Sequence, residues 1–429
     1  MSSWSRLLIA TALAAIALPA SARPSVAAAA AEPPAQFTAN PRVGPGGTRF
    51  KDSPHFRIYG ATNDAVADGA IAMLEAAYTC FVEDLGWRSP GLSFRNFEST
   101  NGPWNKLNVY QLDTLPGAAA NTPTDLNLGL AWLNVVKTYM TEPSVVVHEF
   151  GHALTYAAGP PGWIDQTRTG AWWETTANFV ADMYLTSSKC ASARAKFNQK
   201  EGNTLIDFKK SISDSFQVIV DGTRDTGNYY QAWPFFVYLF NNLDNTTANI
   251  FPQVWTQYKK GSDETPLHVM ERIIAPVKIQ TVVARYWARM AFVDIGHPKA
   301  QAAFNNQRKN LNYANLDSQG SGRYRVKSAR RPRYMGANIT PLKGTGNIVA
   351  NVTADRPFTA TLAIKAANGA VRYVDMPGGN GQANVANGEE AMLVVVNTPA
   401  NLILFDPFKL TAEANTGVDY QVQLTGATV

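Results

Sequence analysis

The chain has 429 residues, 45% of them hydrophobic and 11% aromatic, with a formal net charge of +5. That length favours two or three domains over one and allows a large core, and the composition excludes wholesale disorder or a bundle of membrane helices. A charge excess this mild, with no nucleic-acid-binding module beside it, gives no support to a DNA or RNA role.

The N-terminus reads MSSWSR, then LLIATALAAIALPA, then Ala20-Ser21-Ala22. A basic start, a short apolar run and an A-x-A site predict a signal peptide over residues 1–22, and so a secreted, extracellular or periplasmic protein. The run is short for a bilayer span and no later segment approaches the required length, so no transmembrane segment is expected. Residues 23–53, rich in Ala, Pro and Gly and without an apolar period, read as a disordered leader. In an exported chain Cys80 and Cys190 are compatible with one disulfide, or with two separately buried thiols. Neither belongs to a C-x-x-C pair, which argues against cysteine-ligated zinc.

Order is expected from HFRIYG (55–60), an alternating segment suited to a strand. From Asn63 to Gly86 the apolar residues Val66, Ala70, Leu74, Ala77, Phe81 and Leu85 recur at helical spacing. KLNVYQLD (106–113) and NLGLAWLNV (127–135) read as strands. TEPSVVVHEFGHALTYAAG (141–159) reads as a helix, with Thr141 as N-cap, Pro143 in the first turn and Gly159-Pro160-Pro161 as the stop. GAWWETTANFVADMYL (170–185) is a second helix, and residues 190–320 are mainly helical.

Within the first of those helices lies HEFGH, holding two of the chain's five histidines. Positions i and i+4 share a helix face, so His148 and His152 can aim at one point, and neutral imidazole is a good zinc ligand. Glu149 projects beside that point, where its carboxylate can take a proton from a water acidified by Zn2+. A catalytic zinc needs a third protein ligand and one open position. Glu174, in WWETTANF on the next helix, is the natural candidate.

HEFGH followed by a glutamate on a second helix resembles the gluzincin, thermolysin-like group of zinc metallopeptidases, and the preceding strand–helix–strand–strand order is similar to the N-terminal half of their catalytic domain. The resemblance implies ligation by His148, His152 and Glu174, with Glu149 as general base. It also implies an edge strand at NLGLAWLNV that pairs with an extended peptide or protein substrate. Many gluzincins place an aspartate four residues after the glutamate ligand, where it orients the first histidine. This chain has Asn178 there, an uncharged partner that should raise ligand basicity less. Several gluzincins supply a tyrosine about where Tyr229 and Tyr230 open an apolar helix, which makes Tyr230 the candidate electrophilic helper, with His268 as an alternative. Trp172 and Trp173 flank the candidate ligand, and core filling is expected of at least one.

After a basic connector at 321–335 (GRYRVKSARRPRY carries Arg323, Arg325, Lys327, Arg330, Arg331 and Arg333), the chain becomes rich in Val, Thr, Asn and Gly. Short alternating runs, with Asn368-Gly369 as a hairpin turn, predict an antiparallel β-sandwich over 336–429. The connector reads as a solvated, protease-sensitive link or as a contact with an anionic envelope or glycan surface. The whole mature chain is also similar to a family of uncharacterised secreted zincin-like proteins, which implies an architecture but no substrate. The expectation is therefore an α+β protein, with a zincin-like catalytic domain over 54–320 and an accessory sandwich, acting as a zinc metallopeptidase. The rival reading is a secreted, non-catalytic glycan- or envelope-binding protein on the same scaffold.

Overall fold

Asn63 opens the first helix, its side-chain oxygen accepting from Val66 N at 3.0 Å. The structure, a computed structural model, describes residues 32–158, 165–248, 250–259 and 261–429. The expected signal peptide and the Gly159-Pro160-Pro161 stop lie outside the described residues. The first half holds β1 (Phe50–Asp52), β2 (Phe56–Tyr59), α1 (Asp64–Tyr78), β3 (Leu107–Leu112), β4 (Ala120–Asn121), β5 (Thr124–Asp125) and β6 (Leu130–Val136). Then come α2 (Pro143–Ala158) and α3 (Gln166–Thr186).

These strands form one mixed sheet in the order β1-β2-β3-β6-β4, with β5 also on β6. β2, β3 and β6 run parallel; α1 provides the helical crossover between β2 and β3. The apolar period read from the sequence is the buried face of α1 and of the turn that continues it, where Ala70, Leu74, Ala77 and Phe81 are each 0% exposed. The helix continues through a π-type segment, Thr79–Asp84. Asp64–Asp84 thus has the length and hydropathy to cross a membrane, which the sequence reading had not foreseen, but it is the packed central helix of this layer. Cys80 is disulfide-bonded to Cys190, which resolves the two alternatives left open.

Three expectations need correction here. The described part of the leader is ordered: Phe37 is buried against His55 and Trp104, and the Asn108 side chain donates to Asn40 O and Val43 O. The segment packs as an extended ribbon with isolated anchors, so it shows no period. Thr141 is not the cap of α2, because Val145 N and Val146 N both bond to Glu142 O. Nor is β6 a free edge. β4 and β5 cover it antiparallel, and residues 120–125 form that rim of the sheet.

Further along lie α4 (Ala191–Lys196), α5 (Pro234–Asn241), α6 (Ile250–Thr256), α7 (Pro266–Ile274), α8 (Ile279–Met290) and α9 (Pro298–Gln307). Tyr229 and Tyr230 sit in a turn before α5 rather than on it. The strands that follow are β7 (Leu316–Gly320), β8 (Arg323–Val326), β9 (Ala337–Leu342), β10 (Gly346–Ala354), β11 (Phe358–Lys365), β12 (Val371–Asp375), β13 (Asn380–Val385), β14 (Glu390–Asn397) and β15 (Tyr420–Thr425). They make two antiparallel sheets, β13-β10-β15-β8-β7 and β12-β11-β14-β9. Asn368-Gly369 turns β11 into β12, Gly369 taking the positive φ of 90° that such a turn needs.

The basic stretch is therefore not a solvated connector. Arg323–Val326 is a strand paired with β15, and the boundary expected at 320 falls inside a β-hairpin. Its charges are also largely matched: Arg325 and Arg331 meet Asp419, Lys327 meets Asp317 and Arg330 meets Asp214. The chain as a whole is an α+β protein.

Candidate metal centre

α2 and α3 cross where side chains are smallest. A Cβ added to Gly151 would lie 2.9 Å from Ala177 Cα and 3.1 Å from Val180 Cβ, so backbone meets backbone there. That approach places Glu174 of α3 over the face of α2 bearing His148 and His152. Glu174 Oε2 lies 3.1 Å from His148 Nε2 and 3.6 Å from His152 Nε2. The two Nε2 atoms are 3.2 Å apart. A triangle with those sides has a point about 1.9 Å from all three corners, close to zinc–nitrogen and zinc–oxygen bonds of about 2.0–2.2 Å. The three predicted ligands thus fit one small divalent cation. Among the described residues they are also the group whose donors converge for a metal.

Asn178 meets His148 as expected, Oδ1 to Nδ1 at 2.7 Å. Its amide also donates from Nδ2 to the Tyr230 carbonyl at 2.6 Å, which fixes which end faces the histidine. When neutral, His148 then carries its proton on Nδ1, leaving the Nε2 lone pair free for a metal. Thr175, one residue past the glutamate, donates to Tyr229 O at 2.7 Å. Together these bonds hold the 229–230 turn against α3.

The charges are arranged around Glu174. Burial alone would raise its carboxyl pKa, but hydrogen bonds from His148 and His152 reverse this and hold it well below the usual carboxylate range. Burial opposes charge on His148, yet Glu174 and Glu149 raise its pKa on balance. Tyr230 lies with its ring near-parallel to His148, centroids 6.3 Å apart. Burial, with the Glu174 charge second, pushes its phenol up, so the hydroxyl remains a donor at neutral pH.

Two residues escaped the sequence reading. Thr122 Oγ1 sits 2.6 Å from Glu149 Oε2 and 3.0 Å from Glu149 O, tying the carboxylate to the rim of the sheet; no spacing rule marks a lone threonine in a connecting segment. Tyr156 extends the 148–152 face by one more turn, and burial with Glu174 and Glu149 pushes its phenol to about 12. The i+4 register was the available signal. His268 lies elsewhere, closing a capping box with Thr265 at the start of α7. Trp172 is core, stacked on Phe236, whereas Trp173 is part-exposed with its indole N–H on Thr169. Asp182, the nearest aspartate beyond Asn178, is fully buried and pairs with His297 at 2.5 Å, away from the histidine pair. A cavity of about 770 Å3 between α1, the 86–104 segment and α4 contains none of the metal-centre residues.

Fold and site together define an α+β protein carrying a His–His–Glu group on two crossing helices. The chain matches DUF6055, a family of unknown function, over residues 59–355 and belongs to that family. No curated protein matches it.

Proposed function

We propose that this chain is an exported zinc-dependent peptidase of gluzincin-like architecture. The observation that carries the reading is the triangle formed by His148 Nε2, His152 Nε2 and Glu174 Oε2, with the Glu149 carboxylate next to it in sequence and held by Thr122. Zinc bound there would supply Lewis acidity toward a peptide carbonyl and lower the pKa of a water ligand. Glu149 accepts the proton that water loses on attack and returns it to the departing amine. Tyr230 offers a phenolic donor toward the carbonyl oxygen as negative charge develops on it. Asn178 keeps His148 in the tautomer that ligates. A structural zinc site has no use for a carboxylate in the position of Glu149, which favours a catalyst over a binder. The Cys80–Cys190 bridge suits the oxidising compartment that the N-terminal sequence implies.

The test pairs metal analysis with hydrolysis. The mature chain should hold about one equivalent of zinc and cleave peptides in a chelator-sensitive way. Glu149→Gln should keep the zinc and lose at least about 100-fold in kcat. A protein that retains no zinc when refolded with excess metal, or a Glu149→Gln variant of undiminished activity, rules the peptidase out.

A further inference from the structure

Between β14 and β15 the chain leaves the β-sheets and returns to the helical half. Residues 402–408 are anchored there by alternation: Ile403 and Phe405 are buried in the main core, Phe405 against Tyr334, while Leu404 and Phe408 point outward at 41% and 42% exposure. Phe408 is held in place despite that exposure. Its backbone N bonds to Asp406 Oδ1 at 2.9 Å, and Pro407 O accepts from Gly222 N. Its ring lies on α3 so closely that a Cβ on Gly170 would come within 2.6 Å of it. Gly170 is one helical turn before Glu174.

From Phe408 a row of rings leads to the metal centre. Its ring is 5.9 Å from that of Tyr229, Tyr229 is 4.6 Å from Tyr230, and Tyr230 is 6.3 Å from His148. Tyr230 is itself 44% exposed. An apolar wall that stays open to solvent while its backbone is pinned, and that begins at a metal ligand, is a ready-made contact for part of a ligand held at the metal.

We propose that Phe408, Tyr229 and Tyr230 form a subsite for one large apolar or aromatic side chain of an extended peptide, on one side of the bond to be cleaved. Phe408 sets the preference. The C-terminal half of the chain then supplies a specificity residue to a site whose chemistry lies in the N-terminal half. This rests on the peptidase reading.

The zinc-loaded full chain is assayed on a positional-scanning library of quenched-fluorescence peptides, and the Glu149→Gln variant is assayed for binding the same peptides without turnover. The wild type should favour Phe, Tyr or Leu over Gly or Asp at one position by about 100-fold, the scale of discrimination an apolar pocket provides. Phe408→Ala should flatten that position about tenfold, chiefly through KM, and Phe408→Leu should restore part of it. Cleavage with undiminished selectivity in Phe408→Ala, or no apolar preference at any position in the wild type, overturns the subsite. Phe408-dependent binding to the Glu149→Gln variant, with no turnover by the wild type, upholds the subsite and sinks the peptidase.

Discussion

Thr122 shows how much of the site depends on single contacts. Its hydroxyl, 2.6 Å from Glu149 Oε2, is the side-chain hydrogen bond that holds the carboxylate, and Glu149 is only 6% exposed. A hydrogen bond to a charged group contributes about 1.5–3 kcal/mol, which corresponds to roughly 10–100-fold in rate if the carboxylate must be held for proton transfer. Thr122→Val should therefore lower kcat by at least about tenfold with zinc content unchanged, and Thr122→Ser should recover most of it. Equal kcat in Thr122→Val, measured beside metal content, would show that Glu149 needs no such support. The convergence of the two histidines was legible before the fold was known because i, i+4 spacing on a helix is itself geometry: His148, His152 and the candidate base Glu149 could be read from five consecutive residues. Thr122 could not, since it reaches the site through the pairing of β4 and β5 with β6, a contact between distant segments that leaves no local pattern. Asn178 was legible as the partner of His148, but its second bond, to Tyr230 O, was hidden for the same reason.

At the scale of elements, the helix crossing decides whether three ligands become one site. Gly151, the fourth residue of HEFGH, lets α2 approach α3 to backbone contact at Ala177. An alanine there gains helix propensity of up to about 1 kcal/mol, yet its methyl would force the helices apart by a few tenths of an ångström or more. Metal affinity is far more sensitive to such a shift than folding is. Gly151→Ala should stay folded while its zinc affinity, measured by competition with a chelator, falls about tenfold or more, a loss on the scale of disturbing a ligand's orientation. Unchanged affinity would mean that the crossing has slack. The other packed helix, α1, carries a pH-sensitive anchor. Glu75, 3% exposed, accepts from His55 N at 3.0 Å and contacts His55 Nδ1 at 2.6 Å. Burial would raise its carboxyl pKa, but the hydrogen bonds from His55 lower it on balance. A depressed folded-state pKa contributes stability that is complete above the unfolded carboxylate value, about 4.3, and is lost as pH falls through the lower folded one. Glu75→Gln should cost about 1–3 kcal/mol near neutrality, and the gap to wild type should close on acidification below the carboxylate range. Denaturant titrations at a series of pH values would show it; a gap that widens toward acid contradicts the assignment. The helical period of α1 was visible in the sequence, but this anchor was not, because it links α1 to the turn before β2.

For the molecule as a whole, the question is whether the β half is a detachable module. The boundary expected at 320 rests on the basic stretch that begins there and the change of composition after it, and composition does not report which faces of the new strands are covered. In the sheet β12-β11-β14-β9 the two faces divide cleanly: Leu362, Ile364, Leu393 and Val395 pack against the other β-sheet, whereas Ala363, Met392, Val394 and Val396 belong to the core of the helical half. Trp287 of α8 donates to Met335 O at 2.8 Å. Across the same seam Tyr373 of β12 donates to Asp294 at 2.7 Å, a carboxylate that Arg289 also holds from within the helical half. Ile403 and Phe405 add two more side chains to the shared core. Burying a large apolar side chain stabilises by about 1.5–3 kcal/mol, and five of the shared residues (Met392, Val394, Val396, Ile403 and Phe405) are of that kind. Their combined contribution matches the whole net stability of an ordinary domain, about 5–15 kcal/mol. A chain ending at residue 320 should therefore lack a cooperative melt and expose the α8 face, whereas the full mature chain should unfold in one calorimetric transition. A sharp melting transition in the truncated chain, or two separate transitions in the intact one, would mean that the two halves stand independently. The site would then owe nothing to the sheets behind it.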